Sequence, residues 1–550
     1  MQYSENFIKL YEDSFRENFE LPALSDYGTD VSLTYSELAV EIEKIHILFA
    51  EQGIRPGDAI ALVGKNSAYW CVIFLATITY GAVTVPILND FNPNDIQHIV
   101  NHSDALLLFA SDSTLKDLDE SQMPALKTIY SFAGKKVANK QEGDNLSIRL
   151  TNLFNEKYPA GLSREMIHYP ELPNENIMVL NYTSGTTGFS KGVLITGDNL
   201  TGNVVYARLT LPLKRGDNMV SLLPLAHTYG CAFEFLFPLT MGCHVTLLGK
   251  TPSPKVLMKA FEDVKPNLII SVPLILEKIY KNMIIPLISK PVMKVALSLP
   301  IIKTALYAVV RKKLVQAFGG KFRQVVIGGA PLNKEVEEFF LKIHFPVSVG
   351  YGMTECAPLI SFSLYTDYLP LSCGKVLPNT KVRIDSEDPY QVAGEIQVSG
   401  QNVMRGYYKN EEATQQVFTN DGWLKTGDLG TIDNDYNIFI RGRSKSMILS
   451  GSGQNIYPEE IEAKLNNLLY VAESIVISKN NRLIALVYPD YEAAQAAGLS
   501  QEDLKKTALE NKETLNSMLA AFEKIAEIQL FEKEFEKTPK KSIKRYLYTQ

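Results

Sequence analysis

The chain has 550 residues, of which 46% are hydrophobic and 21% charged, and its formal net charge is −6. A single core stops growing near roughly 250–300 residues, so at least two domains are predicted, and the charge gives no reason to expect nucleic acid. Five scattered cysteines without a CxxC pair, a polar N-terminus and no long uncharged apolar stretch argue against disulfides, zinc, a signal peptide and a membrane span. A reducing compartment, the cytoplasm, is expected.

Helix-like and strand-like stretches alternate through the first part of the chain, which is typical of a parallel α/β architecture. In such sheets ligands bind beyond the carboxyl ends of the strands, where turns rich in glycine lie. The predicted elements are helices at 35–53 and 67–82, strands at 58–64 and 83–87, and later strands opening the segments NLIISVP, QVVIGGAPL and VSVGYGM.

The last hundred residues predict a smaller α+β unit. A helix is expected from Tyr457, with Pro458 in its first turn. The segment SIVISKNNRLIALVY predicts a hairpin that turns near Asn480 and Asn481. The basic stretch at 441–447 suits a linker, so we predict domains at 1–442 and 443–550. The expected apolar stripe of the helix is Ile461, Leu465, Leu468 and Leu469.

The segment from Lys278 to Lys334 contains eleven Lys or Arg residues and no acidic residue. Apolar clusters alternate there with single cations. One interpretation is a helical excursion that packs on the main domain and exposes its lysines to water. The other is a surface that touches an anionic membrane or a lipid substrate, because basic amphipathic helices favour that interface.

The loop YTSGTTGFSKGV, residues 182–193, combines glycines, hydroxyl groups and Lys191. It does not have the P-loop spacing, because Ser190 is the fifth residue after Gly185 and Gly192 follows the lysine. Its composition still suits phosphate, since glycine backbones and hydroxyl groups both donate hydrogen bonds. Taken alone, the loop is also typical of a flexible surface turn.

Three further glycine turns carry residues that could bind a nucleotide. VGYGMTECAP holds Glu355, whose carboxylate could ligate Mg²⁺, and IGGAPL could lie flat against a base. GWLKTGDLG holds Asp428, which could accept hydrogen bonds from ribose hydroxyls, and Arg443 and Lys445 follow it. Each of these also has an ordinary structural explanation as a turn residue, a helix N-terminal acid or a solvated cation.

Together and in this order, the motifs YTSGTTGFSKGV, GGAPL, YGMTE, TGD and GRSKSMILSGSGQNIYPEEIE resemble the adenylate-forming superfamily of acyl-CoA synthetases, luciferases and peptide-synthetase adenylation domains. The resemblance covers nearly the whole chain. It implies an α/β fold with a large N-terminal domain of mixed and parallel sheets with flanking helices. It also implies a small α+β C-terminal lid that turns about a hinge at Lys445.

The resemblance further implies the reaction. A carboxylate attacks the α-phosphorus of ATP, pyrophosphate leaves, and a thiol, usually coenzyme A, displaces AMP from the acyl-AMP. Thr183 and Glu355 match the magnesium-associated positions, and Asp428 and Arg443 match the ribose and phosphate contacts. The remaining positions that match nucleotide-binding residues are Ser184, Gly185, Thr186, Thr187, Gly188, Lys191, Gly329, Ala330, Pro331, Tyr351, Gly352 and Thr354.

Two positions depart from the family pattern. Ser190 replaces the proline of the usual G-x-P-K-G loop, which should loosen the loop and keep its charge. In the C-terminal run TPKKSIKR, residues 538–545, Ser542 occupies the position of the lysine that reaches the α-phosphate. We predict that a nearby lysine, Lys541 by a shift of one residue, takes that catalytic role, with Lys540 and Lys544 as the other candidates.

The acid substrate is predicted from the segment around His227, which matches a histidine near the carboxylate in similar synthetases. Residues 224–233 contain no acid that could pair with a substrate amine, so an apolar carboxylate is favoured. The long segment after SVPLILEKIY resembles long-chain fatty acyl-CoA synthetases, so medium to long fatty acids are expected. A fatty acyl-AMP ligase that loads a carrier protein, and a non-catalytic nucleotide- and lipid-binding protein, remain alternatives. The oligomeric state, monomer or homodimer, stays open.

Overall fold

The computed structural model describes residues 2–132, 135–138, 141–183, 190–250, 252–288, 290, 293, 298–449, 454–479, 482–538 and 543–548. The chain forms two compact units. The first comprises Met1–Thr183, Ser190–Lys381 and Val398–Leu424, and the second includes Val382–Gln397 and Lys425–Gln550. The division of the function between a domain ending at 442 and a mobile lid stays a prediction.

Helices occur throughout both units. The α-helices are Phe7–Glu17, Tyr35–Glu51, Ala68–Tyr80, Pro93–His102, Asp112–Leu115, Leu146–Lys157, Gly197–Thr210, Thr228–Gly230, Phe237–Thr240, Pro254–Val264, Pro273–Ile279, Ile285–Ile288, Pro300–Ala317, Lys334–Lys342, Glu411–Val417, Pro458–Leu465, Tyr491–Ala496 and Gln501–Ser517. The 3₁₀ helices are Glu120–Gln122, Arg164–Met166, Thr354–Cys356, Ala521–Glu523 and Arg545–Leu547, and the π-helices are Cys231–Leu236 and Tyr280–Ile284.

The strands are β1 Pro22–Asp26, β2 Ser32–Thr34, β3 Ala59–Val63, β4 Val83–Ile87, β5 Leu107–Ala110, β6 Thr128–Ser131, β7 Lys135–Ala138, β8 Gln141–Asn145, β9 Ile177–Thr183, β10 Lys191–Thr196, β11 Asn218–Ser221, β12 His244–Leu247, β13 Leu268–Ser271, β14 Gln324–Ile327, β15 Val347–Val349, β16 Tyr351–Gly352, β17 Leu359–Phe362, β18 Lys375–Val376, β19 Thr380–Asp385, β20 Gly394–Gly400, β21 Leu424–Ile432, β22 Ile438–Arg443, β23 Ile448–Leu449, β24 Asn455–Ile456, β25 Val471–Lys479, β26 Arg482–Pro489 and β27 Ile525–Leu530.

Mixed sheets with flanking helices build the first unit, as predicted. The largest has the order β10-β9-β4-β3-β5-β6-β7-β8, with parallel pairing from β9 through β6 and antiparallel pairing at both edges. A second sheet has the order β11-β12-β1-β2, and a third, β13-β14-β15, is wholly parallel. Such parallel sheets place the turns that follow neighbouring strands at one edge.

Local sequence signals explain the predicted helices. Helix Tyr35–Glu51 begins after Thr34, whose hydroxyl accepts from the Glu37 N–H while the Glu37 carboxylate accepts from the Thr34 N–H. Helix Ala68–Tyr80 starts at a Ser67 cap and ends at Gly81, whose φ of 93° is one that glycine adopts without strain. Nearly every side chain of this second helix is buried, so its sequence is apolar all round.

The second unit contains the predicted α+β module. Strands β25 and β26 pair antiparallel as the expected hairpin, and β27 joins β26 in parallel. The predicted turn at Asn480 and Asn481 lies outside the described residues. Helix Pro458–Leu465 packs on this sheet through a cluster that includes Ile461, Leu465, Val476, Leu515 and Ile525.

Two details of that prediction were wrong. The helix ends at Leu465, so Leu468 is only partly buried and Leu469 is 68% exposed. The prediction assumed that the helix continued to Leu469, but the chain leaves the helix after Leu465 and enters β25 at Val471. The predicted linker at 441–447 also begins inside a strand, because β22 runs to Arg443 and pairs with β21.

An ion pair fixes the C-terminal segment within the second unit. Arg545 pairs with the buried Glu462, and the other carboxylate oxygen of Glu462 accepts from the Val476 N–H at 2.6 Å. Ile543 bridges to Lys537, and Lys537 pairs with Glu473 at 2.6 Å. These contacts anchor both ends of the run that contains the predicted catalytic lysine.

Among the described residues, no helix is both long enough and apolar enough to cross a bilayer.

Candidate functional site

The parallel sheet β13-β14-β15 places two predicted nucleotide-binding turns side by side. Gly329 follows β14 with a φ of 86°, and Tyr351 comes two residues after β15. Gly328 must stay small, because a Cβ there would lie 2.8 Å from the Tyr229 ring. Gly329, Ala330 and Pro331 are exposed, so a ligand can contact this turn.

Tyr351, Gly352, Thr354 and Glu355 form a tightly packed corner. A Cβ on Gly352 would lie 2.2 Å from the Pro358 carbonyl oxygen, so only glycine fits. Tyr351 and Thr354 are buried, and Glu355 is half-buried in the turn Thr354–Cys356. The predicted magnesium residue therefore sits on a rigid support.

Tyr407 brings two predicted site residues together. Its hydroxyl donates to Glu355 Oε1 at 2.9 Å, and its ring centroid lies 4.9 Å from Lys191 Nζ, within cation–π range. The Met404 N–H also donates to the Glu355 carbonyl oxygen at 2.8 Å. Burial, reinforced by Glu355, raises the pKa of Tyr407 far above its ordinary value, so its hydroxyl stays protonated and remains a donor.

Thr183 joins this cluster through the β9–β10 pairing. It is the last residue of β9 and lies opposite Lys191, the first residue of β10. The predicted phosphate-binding residues Ser184, Gly185, Thr186, Thr187 and Gly188 fall outside the described residues. The structure thus shows where this loop leaves and re-enters the sheet, beside a cation and near the Glu355–Tyr407 pair.

The loop 222–227 carries His227 and is held by the buried Asn181 and the half-buried Asn66. Asn181, on β9, donates to the Ala226 carbonyl oxygen at 2.9 Å. Asn66 donates to the Leu223 carbonyl oxygen and accepts from the Leu225 N–H. His227 itself is half-buried and precedes the turn Thr228–Gly230. Because Asn181 lies two residues before Thr183, the His227 loop is fixed to the strand that leads into the phosphate loop.

Glu234 supplies the third anchor and was not singled out from the sequence. It is fully buried, and its Oε2 accepts from the N–H groups of Leu222 and Leu223 at 3.0 and 2.9 Å. Its Oε1 has no hydrogen-bond partner in the described structure. Burial raises the pKa of Glu234 to about 8, although the hydrogen bonds from the backbone and Ser221 oppose this shift.

An apolar cavity lies next to this loop in the first unit. It is lined mainly by aliphatic groups, together with the Asn181 and Thr228 side chains, which lie on β9 and on the turn after His227. Val179, Ile195, Leu200 and Ala232 are among the apolar residues.

The other predicted ligand residues lie in the second unit. Asp428 and Arg443 face each other on β21 and β22, and Arg443 Nε lies 3.1 Å from Asp428 Oδ1. Asp428 is buried, and the Arg443 side chain is 67% exposed. Lys445 is exposed in the turn after β22. Lys541, like Lys540 and Ser542, falls outside the described residues.

Sequence reasoning missed Tyr407 and Glu234 for different reasons. Tyr407 stands in MRGYYKN, where two tyrosines adjoin a glycine and nothing marks which one faces the site. Glu234 lies one residue beyond the segment searched for an acid. Both act through contacts with residues distant in sequence, which a local motif does not reveal.

The residues present fit a magnesium–nucleotide complex. Mg²⁺ is usually held by one or two carboxylates together with substrate phosphates, not by a cage made of protein alone. The Glu355 carboxylate and the Thr183 hydroxyl provide hard oxygen ligands of this kind, while Lys191 provides a cation for phosphate. Within the described parts of the chain, no group of three or more His, Cys, Asp or Glu side chains could hold a metal alone.

Comparison with known proteins shows what the chain is similar to. Residues 11–408 match the model of the AMP-binding enzyme family. The long-chain-fatty-acid–CoA ligase FadD15 of Mycobacterium bovis is 30% identical over 87% of this chain and 82% of its own length. Peroxisomal long chain acyl-CoA synthetase 7 of Arabidopsis thaliana is 29% identical over 86% of this chain and 71% of its own length.

A solved structure shows the same fold. ATP-bound MatB from Rhodopseudomonas palustris superimposes with a TM-score of 0.75 at 22% identity, covering 98% of each chain. The fold class predicted from the sequence, a large α/β domain followed by a small α+β domain, is therefore confirmed.

The Tyr407 hydroxyl is expected to position Glu355. Tyr407→Phe keeps the ring beneath Lys191 and removes only the hydrogen bond to the carboxylate. Because a hydrogen bond to a charged group contributes about 1.5–3 kcal/mol, pyrophosphate release at limiting Mg²⁺ should fall at least about tenfold. Tyr408→Phe is the matched control, since the Tyr408 hydroxyl donates to Asp104. Equal rates for the two variants would show that Glu355 needs no such support.

Glu234 is expected to make the stability of the first unit depend on pH. Between the ordinary value of 4.5 and the folded pKa of about 8, the folded state keeps a proton that the unfolded state releases. Stability therefore falls as pH rises through this window, by up to about 1.4 kcal/mol per pH unit.

Glu234→Gln removes this titration, so its Tm relative to the unmodified protein should increase from pH 5 to pH 8. Calorimetry at several pH values measures the difference, with the exposed Glu510→Gln as control. A constant difference across the window would rule out the pKa shift.

Proposed function

Because the chain belongs to the AMP-binding enzyme family, we propose that it activates a medium- to long-chain fatty acid with ATP and transfers the acyl group to coenzyme A. The fatty carboxylate attacks the α-phosphorus of ATP, an acyl-AMP forms and pyrophosphate leaves. The coenzyme A thiol then attacks the acyl carbonyl carbon and AMP leaves. The enzyme class, an AMP-forming acid–thiol ligase, agrees with the names of the relatives.

The observation that carries this proposal is the cluster of Lys191, Glu355 and Tyr407 at the end of β9. The first step spreads negative charge over phosphate oxygens, so catalysis depends mainly on positioning and on electrostatic stabilisation. Lys191 supplies a fixed positive charge there, and the rigid support of Glu355 prevents its carboxylate from reorganising. Strand β9 ends in Thr183, next to the hydroxyl-rich loop assigned to the β- and γ-phosphates.

Each remaining site residue has a role in the same reaction. Glu355 and Thr183 would hold Mg²⁺, which neutralises phosphate charge when bound. Gly329, Ala330 and Tyr351 would contact adenine, and Pro331, Gly352 and Thr354 would also bind the nucleotide. Asp428 would accept from the ribose hydroxyls beside Arg443. Lys541 would contact the α-phosphate. His227 would lie near the substrate carboxylate.

Glu234 supports an apolar acid over an amino acid. An enzyme that binds a substrate amine needs an ionised carboxylate near the acyl site. Glu234 is the acid adjacent to that segment, but its pKa of about 8 keeps it largely protonated at neutral pH, and Oε2 already accepts from two backbone N–H groups. Burying a chain contributes about 0.8 kcal/mol per CH₂, so the length of the acyl site should set chain preference.

The lid and the location of the enzyme belong to the same proposal. Residues 443–550 would turn about Lys445 between the two half-reactions, and such a step can limit turnover. The protein would work in the cytoplasm, with its basic segment at the inner face of the membrane. Both a monomer and a homodimer are compatible with the proposed reaction.

The reaction is tested by measuring pyrophosphate release from ATP and Mg²⁺ with a series of saturated fatty acids, with and without coenzyme A. We expect release that requires a fatty acid of medium or long chain, and acyl-CoA when the thiol is present. Pyrophosphate release without acyl-CoA would favour the carrier-loading ligase. Binding of ATP and fatty acid without any release would favour the non-catalytic protein and would overturn the proposal.

The lysine assignment is tested separately. Lys541→Ala should lower acyl-AMP formation by about a hundredfold or more, because a positioned charge acts on the transition state, and should leave thioester formation from supplied acyl-AMP unchanged. Lys544→Ala should have a smaller effect, since Lys544 Nζ lies 3.5 Å from Glu536. Lys533→Ala, at an exposed position, is the control.

If Lys540→Ala alone abolishes adenylation, the assigned residue is wrong. If Lys540→Ala, Lys541→Ala and Lys544→Ala all leave adenylation unchanged, no lysine near Ser542 takes the role of the family's catalytic lysine. Ser542→Lys, which restores the family residue, should then raise activity.

A further inference from the structure

Tyr182 stands at the base of the loop between β9 and β10. It is buried, precedes Thr183 at the end of β9 and pairs with Gly192 on β10. A Cβ on Gly192 would lie 3.1 Å from Cζ of the Tyr182 ring, so the ring lies close against β10 one residue after Lys191. The Tyr182 side chain therefore joins the two strand ends between which the loop lies.

His102, the last residue of helix Pro93–His102, contacts Tyr182 from the other side. His102 Nδ1 lies 2.7 Å from the Tyr182 hydroxyl oxygen, and the two rings meet edge-on with centroids 5.8 Å apart. Burial lowers the pKa of His102 below its ordinary value, so the half-buried imidazole is largely neutral at pH 7. A neutral imidazole that carries its proton on Nε2 accepts the Tyr182 hydroxyl proton at Nδ1.

The end of this helix is itself fixed by the segment that follows Tyr407. Lys409 Nζ donates to the His102 carbonyl oxygen at 3.1 Å and pairs with Asp104 at 2.6 Å. The Tyr408 ring also packs edge-on against the His102 ring, with centroids 5.8 Å apart. His102 therefore has a defined position against which the Tyr182 side chain is held.

Fixed strand ends matter for a loop that binds phosphate. A loop that becomes ordered on binding loses conformational entropy, and this loss reduces the affinity for the ligand. When the strand ends are held beforehand, the ligand has less of this loss to offset. The benefit should appear only with ligands that reach the loop.

We propose that His102 is a positioning residue for the loop between β9 and β10, and that by holding Tyr182 it favours the binding of ATP over AMP. The inference rests on the proposed function, which assigns this loop to the β- and γ-phosphates. AMP lacks those two phosphates, so its binding should not depend on His102. A histidine that only stabilised the fold would lower the melting temperature and leave the ratio of the two affinities unchanged.

Calorimetric titration of the full chain with ATP and Mg²⁺, and separately with AMP, tests the inference without fatty acid or coenzyme A. His102→Ala should weaken ATP binding about fivefold, the loss expected for one hydrogen bond, and leave AMP binding unchanged. Tyr182→Phe removes the same hydrogen bond by deleting one oxygen atom and should give the same loss. The double variant should lose no more than either single variant, because both changes break one contact.

Two further variants separate positioning from a general structural effect. His102→Asn keeps a side-chain oxygen that can accept near the place of Nδ1, so it should bind ATP more tightly than His102→Ala. His98→Ala makes the same change at an exposed position one turn earlier on the helix, and should leave both affinities unchanged. In pyrophosphate release, His102→Ala should raise the KM for ATP and not the KM for fatty acid.

Thermal melting checks that the variants are folded, and Tyr182→Phe is the smallest change among them. The inference is overturned if His102→Ala and Tyr182→Phe bind ATP as tightly as the unmodified chain. It is also overturned if they lose affinity for ATP and AMP equally, or if His98→Ala has the same effect. A lack of fatty-acid-dependent pyrophosphate release by the unmodified chain would instead overturn the proposed function, and the comparison of ATP with AMP would still decide the role of His102.

Discussion

The hydrogen bond from Tyr407 to Glu355 is the contact on which the proposed chemistry depends. It holds the carboxylate at 2.9 Å while the same ring lies against Lys191, so one aromatic side chain orients an anion and a cation together. If Glu355 and Lys191 moved independently, they would have to reorient as negative charge develops on the phosphates. Because they are held in place beforehand, they stabilise that charge without the free-energy cost of reorientation. Strand β9 ends at Thr183, which lies opposite Lys191 on β10.

Polar side chains give similar support to the loop of His227, which the proposed function assigns to the acyl side of the site. Asn66, Asn181 and Glu234 hold a loop that has little secondary structure of its own. Burying a carboxyl is unfavourable, and Glu234 avoids a buried charge by keeping its proton. The proton that Glu234 keeps agrees with the proposed preference for an apolar acid over an amino acid.

Ion pairs hold the residues on both sides of the C-terminal run that contains Ser542. Arg545 and Lys537 are both committed to ion pairs with glutamates of the second unit. These pairs fix Lys537 and Arg545, which lie on either side of the stretch that departs from the family pattern at Ser542. Ser542 and Lys541 themselves lie outside the described residues.

The sequence by itself determined the fold class and the family, because glycine turns after buried strands and helix caps are local signals. It placed Gly329 correctly on the turn after β14, whereas Tyr351 lies in β16 and Glu355 in the helical turn Thr354–Cys356. The nucleotide-binding roles of these residues stay predictions. Only the tertiary structure selected Tyr407 over its neighbour Tyr408, revealed Glu234 as an anchor and ended a helix at Leu465 where the apolar period continued. These features arise from contacts between residues far apart in the chain, and periodicity carries no information about such contacts.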